Sequence, residues 1–341
     1  MNGASAQELP FVSVVIPVLN CAGEVDSCIA HLRAQDYPED LFEILVVDNG
    51  SEDDTVARLK KCGVTPLSRP ERGRSRALNE GLKHARGSII CSTDISCRAE
   101  PRWLTQIVRS FDDPLVGCVA GDIKLLKTNA NLASDFQERS DYMSPMKARL
   151  RIHPPFLPYA DGANASFRRS VFDAIGPFEE SFIKAADVEI CYRMLFLTEF
   201  KIAFNPRAVV WEPGEENLKA LLKQRYRIGI GNALLWARFP GLYANSRARS
   251  ARAHYWAARE VIGSSAKTLG LLLRSGWRAE ARTALADSAI ASGMSIAQSL
   301  GRIRGRQYLR SADTVPQPIS VSAMDALVAG AWTASSRIII I

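Results

Sequence analysis

Four stretches of this chain place acids, amides and arginines directly after apolar runs. They are VVIPVLN (14–20), ILVVDNGSEDDT (44–55), GRSRALNEGLKHARGSIICSTD (73–94) and AADVEICYR (185–193). Each apolar run closes on a polar cluster holding Asp, Asn or Gly. In an open parallel sheet, ligands bind outside the carboxyl ends of the strands. Separate strand ends here would therefore bring Asp48, Asp94 and further acids to one crevice. The pattern alone points to a nucleotide-binding α/β enzyme.

The elements needed to hold those residues can be read from spacing. Val12–Pro17, Glu43–Val47, Ser88–Thr93, Val116–Ala120 and Ala165–Arg168 are short apolar or β-branched runs and are predicted strands; Ile202–Phe204 and Ala208–Trp211 are two more. Helical spacing marks Glu24–Gln35, Thr55–Lys61 (capped by Asp53 or Asp54), Ser75–Ala85, Pro101–Phe111, Arg169–Ile175 and Asp187–Thr198. Strand and helix alternate, so the fold class is α/β with a mostly parallel central sheet. Residues 125–160, with the segment HPPFLP, are expected to form a mobile loop or cover. Leu218–Phe239, Arg252–Arg274 and Ala279–Ile303 read as helices, the first interrupted by Gly229 and Gly231, which would permit bending. The expected division is a catalytic domain over 10–217, a basic helical extension over 218–310, and a tail over 311–341 that ends in four isoleucines and has no clear reading.

Length and charge bound the function. The 341 residues, 47% hydrophobic, suffice for a large α/β domain with an appendage. Seven cysteines without a CxxC pair suggest reduced thiols in a cytoplasmic protein rather than a disulfide frame or zinc site. The amino terminus lacks a signal-peptide layout, and no uncharged apolar run is long enough to span a membrane. Of the net charge of +7, residues 218–310 hold 17 Lys or Arg against 3 acids. The rest of the chain is therefore acidic overall. Such a basic segment suits an anionic partner, here a membrane surface, with Trp256, Leu269, Leu271–Leu273 and Trp277 as apolar contacts; packing of these helices on the rest of the protein is the plainer use of the same residues. Nucleic acid is not expected: no aromatic RNA motif or zinc finger occurs, and the acidic body would repel a phosphate backbone.

The order of these blocks, over about residues 10–240, resembles the family 2 glycosyltransferases, inverting enzymes of GT-A fold. That resemblance implies a nucleotide-diphosphate sugar donor and a sugar or lipid-linked acceptor, in cell-surface polysaccharide or glycolipid assembly. It places Pro17, Asn20 and Asp48 at the nucleotide base. An ionised carboxylate such as Asp48 suits a ring N–H, because charge strengthens the hydrogen bond. Arg74 and Arg76 would lie beside the diphosphate, and Asp94 at the ribose. Asp161 and Asn164, in the block DGANASFRR followed by GPF (176–178), would shape the acceptor side. Asp187 would be the general base that takes the acceptor hydroxyl proton, with Glu189 nearby for an acceptor contact or an ion pair with Arg193. Arg225 and Arg227 are further candidates for phosphate.

Three positions depart from the family pattern. Ser96 stands where the last Asp of the DxD block would hold a metal, Ala186 where a Glu precedes the base, and Glu212 where a metal-binding His is common. A neutral hydroxyl is a poor ligand for a hard cation. Two arrangements stay open: Mg²⁺ or Mn²⁺ held by the donor phosphates, Asp94 and Glu212, or a leaving diphosphate stabilised by Arg or Lys alone. A non-catalytic sugar-nucleotide-binding or scaffold protein of the same fold is the alternative function. The expected location is cytoplasmic, peripheral to the inner face of the cell membrane.

Overall fold

The computed structural model describes residues 8–128, 130–140, 157–243, 279–311, 316–319 and 338–341. These fall into two compact units. The first is a sheet flanked by helices: β1 (Val12–Val18), α1 (Val25–Arg33), β2 (Phe42–Asp48), α2 (Thr55–Lys61), β3 (Leu67–Ser68), α3 (Arg74–His84), β4 (Ile89–Thr93), β5 (Arg98–Ala99), α4 (Trp103–Arg109), β6 (Val116–Leu126), β7 (Asn164–Arg168), α6 (Arg169–Ile175), α7 (Ala186–Leu197), β8 (Lys201–Pro213) and β9 (Ile338–Ile340). The second holds α5 (Leu132–Arg139), α8 (Leu218–Arg238), the short α9 (Pro240–Tyr243) and α10 (Ala279–Ser311).

The sheet order is β3-β2-β1-β4-β7-β6-β8-β5, with β9 on β8. Pairing is parallel except where β7 meets β4 and β6 and where β5 meets β8. Register then fixes which residues share a rim. Val18 pairs with Asp48, and Val15 with Ser92, so the chain leaves β1, β2 and β4 on the same side. Because β7 runs the opposite way, with Thr93 opposite Asn164, its entry loop 161–163 lies on that same rim. The core beneath is aliphatic, with Val14, Ile16, Ile29, Leu32, Leu59, Trp103, Leu104 and Ile107 fully or almost fully buried; each such side chain contributes about 1.5–3 kcal/mol.

Several expectations change. The two strands foreseen at 202–211 are one strand with a bulge: Gly121 pairs with Asn205 but Asp122 with Val209, so Pro206–Ala208 loop out of register. The expected loop over 125–160 contains the end of β6 and the helix α5, which an Asn131–Ser134 capping box starts; residues 141–156 lie outside the described residues, as do the predicted helix Arg252–Arg274 and the apolar contacts foreseen at Trp256, Leu269, Leu271–Leu273 and Trp277. The isoleucine terminus is a ninth strand parallel to β8.

Gly229 is not a bend but a packing position. A Cβ there would come within 2.1 Å of the Gln298 carbonyl oxygen, and one at Gly301 within 1.9 Å of the Tyr226 carbonyl oxygen. Helices α8 and α10 therefore touch backbone to backbone. All seven cysteines are free thiols. Among the described residues no helix is long and apolar enough to cross a membrane.

Candidate active site

Asp94 follows β4, and its carboxylate is ion-paired with the Arg74 guanidinium at the start of α3. Arg74 donates a second hydrogen bond to the Gly162 carbonyl oxygen at 3.1 Å. The Gly162 N–H in turn donates to Asp187 Oδ2, 3.1 Å away, in the first turn of α7. The β4, α3, β7 and α7 ends are thus tied through one arginine and one peptide unit. The backbone just before that turn is strained: Ala185 has φ 64°, a left-handed conformation that costs an alanine about 1–2 kcal/mol.

Electrostatics follows from three carboxylates around one cation. Burial, then the charge of Asp187, lifts the Asp161 carboxyl to about 6; Asp94 adds to this, while the Ala163 N–H and Arg74 oppose it. Burial works against the charge of Arg74, but Asp94, Asp187 and Asp161 outweigh it and hold the guanidinium above its ordinary range. Even so, the Arg74 and Asp94 side chains are 37% and 30% exposed. A pair so open to water is worth about 0–1 kcal/mol, so Arg74 can exchange Asp94 for an incoming anion at little cost.

Asp48 stands on the same rim at the end of β2, and its carboxylate accepts from the Ser51 N–H at 3.2 Å. It makes no direct contact with the Asp94–Asp187 group; β1 lies between β2 and β4. Asn20, at φ 52°, accepts from the Glu52 N–H at 2.8 Å and so joins the exits of β1 and β2. Pro17 lies within β1 opposite Val47.

Other expected site residues sit apart. Arg76 pairs with Glu180 at 3.3 Å rather than joining Arg74. Asn164 is 1% exposed: its amide donates to the Asp122 and Ala208 carbonyl oxygens and accepts from the Trp103 indole N–H at 2.8 Å. Asn164 thus ties the β6 and β8 backbones together at their register shift, a bracing position buried away from the rim. Glu189 is likewise corrected. It is fully buried and ion-paired with Arg193 at 3.0 Å, and Arg193 also donates to the Ile175 and Pro177 carbonyl oxygens. Of the two uses foreseen for Glu189, the ion pair is the one present.

Sequence reading missed Asn49, which is buried. Its amide donates to the Arg69 and Glu71 carbonyl oxygens and accepts from the Gly73 N–H at 2.7 Å. This fastens the loop that launches Arg74. The only signal was the Asp-Asn-Gly turn, where an Asx side chain often bonds to nearby backbone.

A divalent cation would need donors on this rim. Glu212 lies near the end of β8. Burial, then the charges of Glu212 and Asp94, raises the Cys97 thiol well above its usual range, so both carboxylates lie near that thiol. Among the described residues no three metal-capable side chains cluster. Asp94 and Glu212 are thus carboxylates on this part of the rim with the oxygen donors that a hard cation takes.

Comparison with known proteins shows the family. The description "Glycosyl transferase family 2" matches residues 13–176, and "Glycosyl transferase family group 2" matches residues 98–295. The glycosyltransferase AglE of Haloferax volcanii is 30% identical over 234 residues, 67% of this chain and 75% of AglE. The O-antigen chain rhamnosyltransferase RfbN of Salmonella typhimurium is 24% identical, over 78% of this chain and 90% of its own. Other relatives are longer, and the chain spans about half of their length. The mannosyltransferase PcManGT of Pyrobaculum calidifontis, solved with GDP-Man and Mn²⁺, superposes with a TM-score of 0.52 at 20% identity, covering 94% of this chain and 79% of that one. The sheet with its reversed strand is the GT-A fold. Over half of the chain lies within one of these family matches, and a relative at 30% identity spans two thirds of it; the chain belongs to glycosyl transferase family 2 and is a glycosyltransferase.

Proposed function

We propose that the protein transfers a sugar, with inversion, from a nucleoside-diphosphate sugar to an acceptor hydroxyl, with Asp187 as the base. The observation that carries this reading is the bridge Asp187–Gly162–Arg74–Asp94. The Gly162 N–H engages Oδ2 of Asp187 and leaves Oδ1 for the acceptor proton. The acceptor oxygen attacks the anomeric carbon, its proton passes to Asp187, and the bond from that carbon to the diphosphate breaks on the opposite face. The leaving diphosphate carries away the electron pair, and Arg74 supplies the positive charge beside it. Asp48 takes the base N–H and Asp161 a sugar hydroxyl of the acceptor. The non-catalytic alternative has no observation in its favour.

Asp94 and Glu212 are the residues that would hold Mg²⁺ or Mn²⁺, which would neutralise diphosphate charge. PcManGT was solved with Mn²⁺ and GDP-Man, and RfbN is named for an O-antigen chain. By analogy the acceptor here is a growing cell-surface glycan or glycolipid. Cytoplasmic placement remains our reading of the cysteines. The test is a thermal-shift screen of nucleotide sugars with and without Mn²⁺, on the wild type and Glu212→Gln. One donor should raise the melting temperature, Mn²⁺ should add to it only when that donor is present, and Glu212→Gln should remove the addition. Stabilisation by Mn²⁺ alone, or no response to any donor, would overturn the assignment of these ligands.

A further inference from the structure

One long face of α10 is apolar and open to water. Leu285, Ile296, Leu300 and Ile303 are 44%, 62%, 54% and 55% exposed. At 100° per residue, they and the exposed Ala289 fall within a band about 60° wide. The opposite side of the helix is occupied: Ile290 and Met294 join Phe136 and Leu221 in a buried cluster, and Gly301 and Gly305 lie against α8. Exposure of that face is therefore no accident of an unpacked helix.

The charge along the face has one sign. Arg304, Arg306 and Arg310 are exposed around its carboxyl-terminal half. Arg306 and the neighbouring Arg302 stack on the Trp236 ring at 5.5 and 5.8 Å, which holds two like charges side by side. Among the α10 side chains described, the acid is Asp287. It points the other way and pairs with Arg139 at 2.6 Å.

We propose that this face of α10 is a docking surface for an anionic phospholipid bilayer, with Ile296, Leu300 and Ile303 entering the headgroup–acyl boundary and Arg304, Arg306 and Arg310 meeting lipid phosphates. Aliphatic residues in the centre with arginines at the edge and, among the described residues, no carboxylate on the face match such a surface. A second copy of the chain fits less well: a parallel two-fold pairing of α10 would set arginines against arginines, and an antiparallel one would set them opposite the amino-terminal half of the helix, whose described acid Asp287 is already held by Arg139. Nucleic acid fits less well too, since branched aliphatic side chains offer no ring for bases to stack on.

The test is co-sedimentation of the full chain with vesicles of phosphatidylcholine alone and with phosphatidylglycerol added. The wild type should pellet with the anionic vesicles and be released by salt. The pair Ile296→Glu and Ile303→Glu together should weaken binding about tenfold or more. Arg306→Gln and Arg310→Gln should each weaken it about fivefold, on anionic vesicles only. Leu115→Glu, an exposed apolar site on the sheet unit, should change nothing. Ile303→Gln, a single mild change, serves where the double variant melts early by circular dichroism. Binding to both vesicle types that survives these changes, or no pelleting at all, would overturn the proposal. So would a wild-type dimer that Ile296→Glu dissolves, because a second copy would then cover the face. None of these readouts involves Asp187, so failure here and failure of the catalytic reading are separable.

Discussion

The Asp161 carboxyl gives a prediction with a definite sign. Its unfolded value is near 3.8 and its folded value about 6. Between these values the folded protein binds more protons than the unfolded chain, so this group's contribution to stability falls as pH rises from about 4 to about 6 and stays low above that. Two pKa units correspond to about 3 kcal/mol. Sharing of charge with Asp187 and relaxation of the loop reduce this, so about 1–3 kcal/mol is expected. Asp161→Asn keeps an oxygen to accept from the Ala163 N–H, 3.1 Å away in the wild type, and removes the charge. Urea denaturation of both proteins at pH 8 and at pH 4.5, followed by the sheet unit's transition, measures the difference. The variant should be the more stable at pH 8, and the gap should close towards pH 4.5. A gap that is the same at both pH values, or a less stable variant at pH 8, would refute the reasoning that burial and Asp187 burden this carboxylate.

Arg74→Gln should raise the donor KM about 10–100-fold, since a charge-assisted hydrogen bond is worth about 1.5–3 kcal/mol; Arg74→Lys should recover part of it, as steady-state kinetics would show. Gly301→Ala would drive a methyl group towards the Tyr226 carbonyl oxygen, with the Cβ only 1.9 Å away. It should destabilise the helical unit by about 1–3 kcal/mol, read by thermal denaturation monitored at helical wavelengths.

Much of the sheet was legible because its strands are short β-branched runs closed by Pro, Asp or Gly. Asp94 was legible as the acid that follows the β4 run, and Asp187 as an acid at a helix start in the order of blocks that resembles the family. Strand direction was not legible: nothing local in Asn164–Arg168 says that β7 runs against its neighbours, and that reversal is what brings Gly162 to the rim. The roles of buried polar side chains were hidden for the same reason. Asn164 serves a bulge created by a distant strand, and Arg76 finds Glu180 about a hundred residues away. The Glu189–Arg193 pair was foreseeable because four residues on a helix place two side chains together. The isoleucine terminus could not be read locally, since its partner is the β8 edge.

The central claim is that Asp187 removes the acceptor proton. Single-turnover transfer by Asp187→Asn, at saturating donor, tests it. The Gly162 N–H can still be accepted by the amide oxygen, so donor binding should be unchanged while the transfer rate falls about 10²–10⁴-fold. A variant that transfers sugar within a fewfold of the wild-type rate would contradict the account.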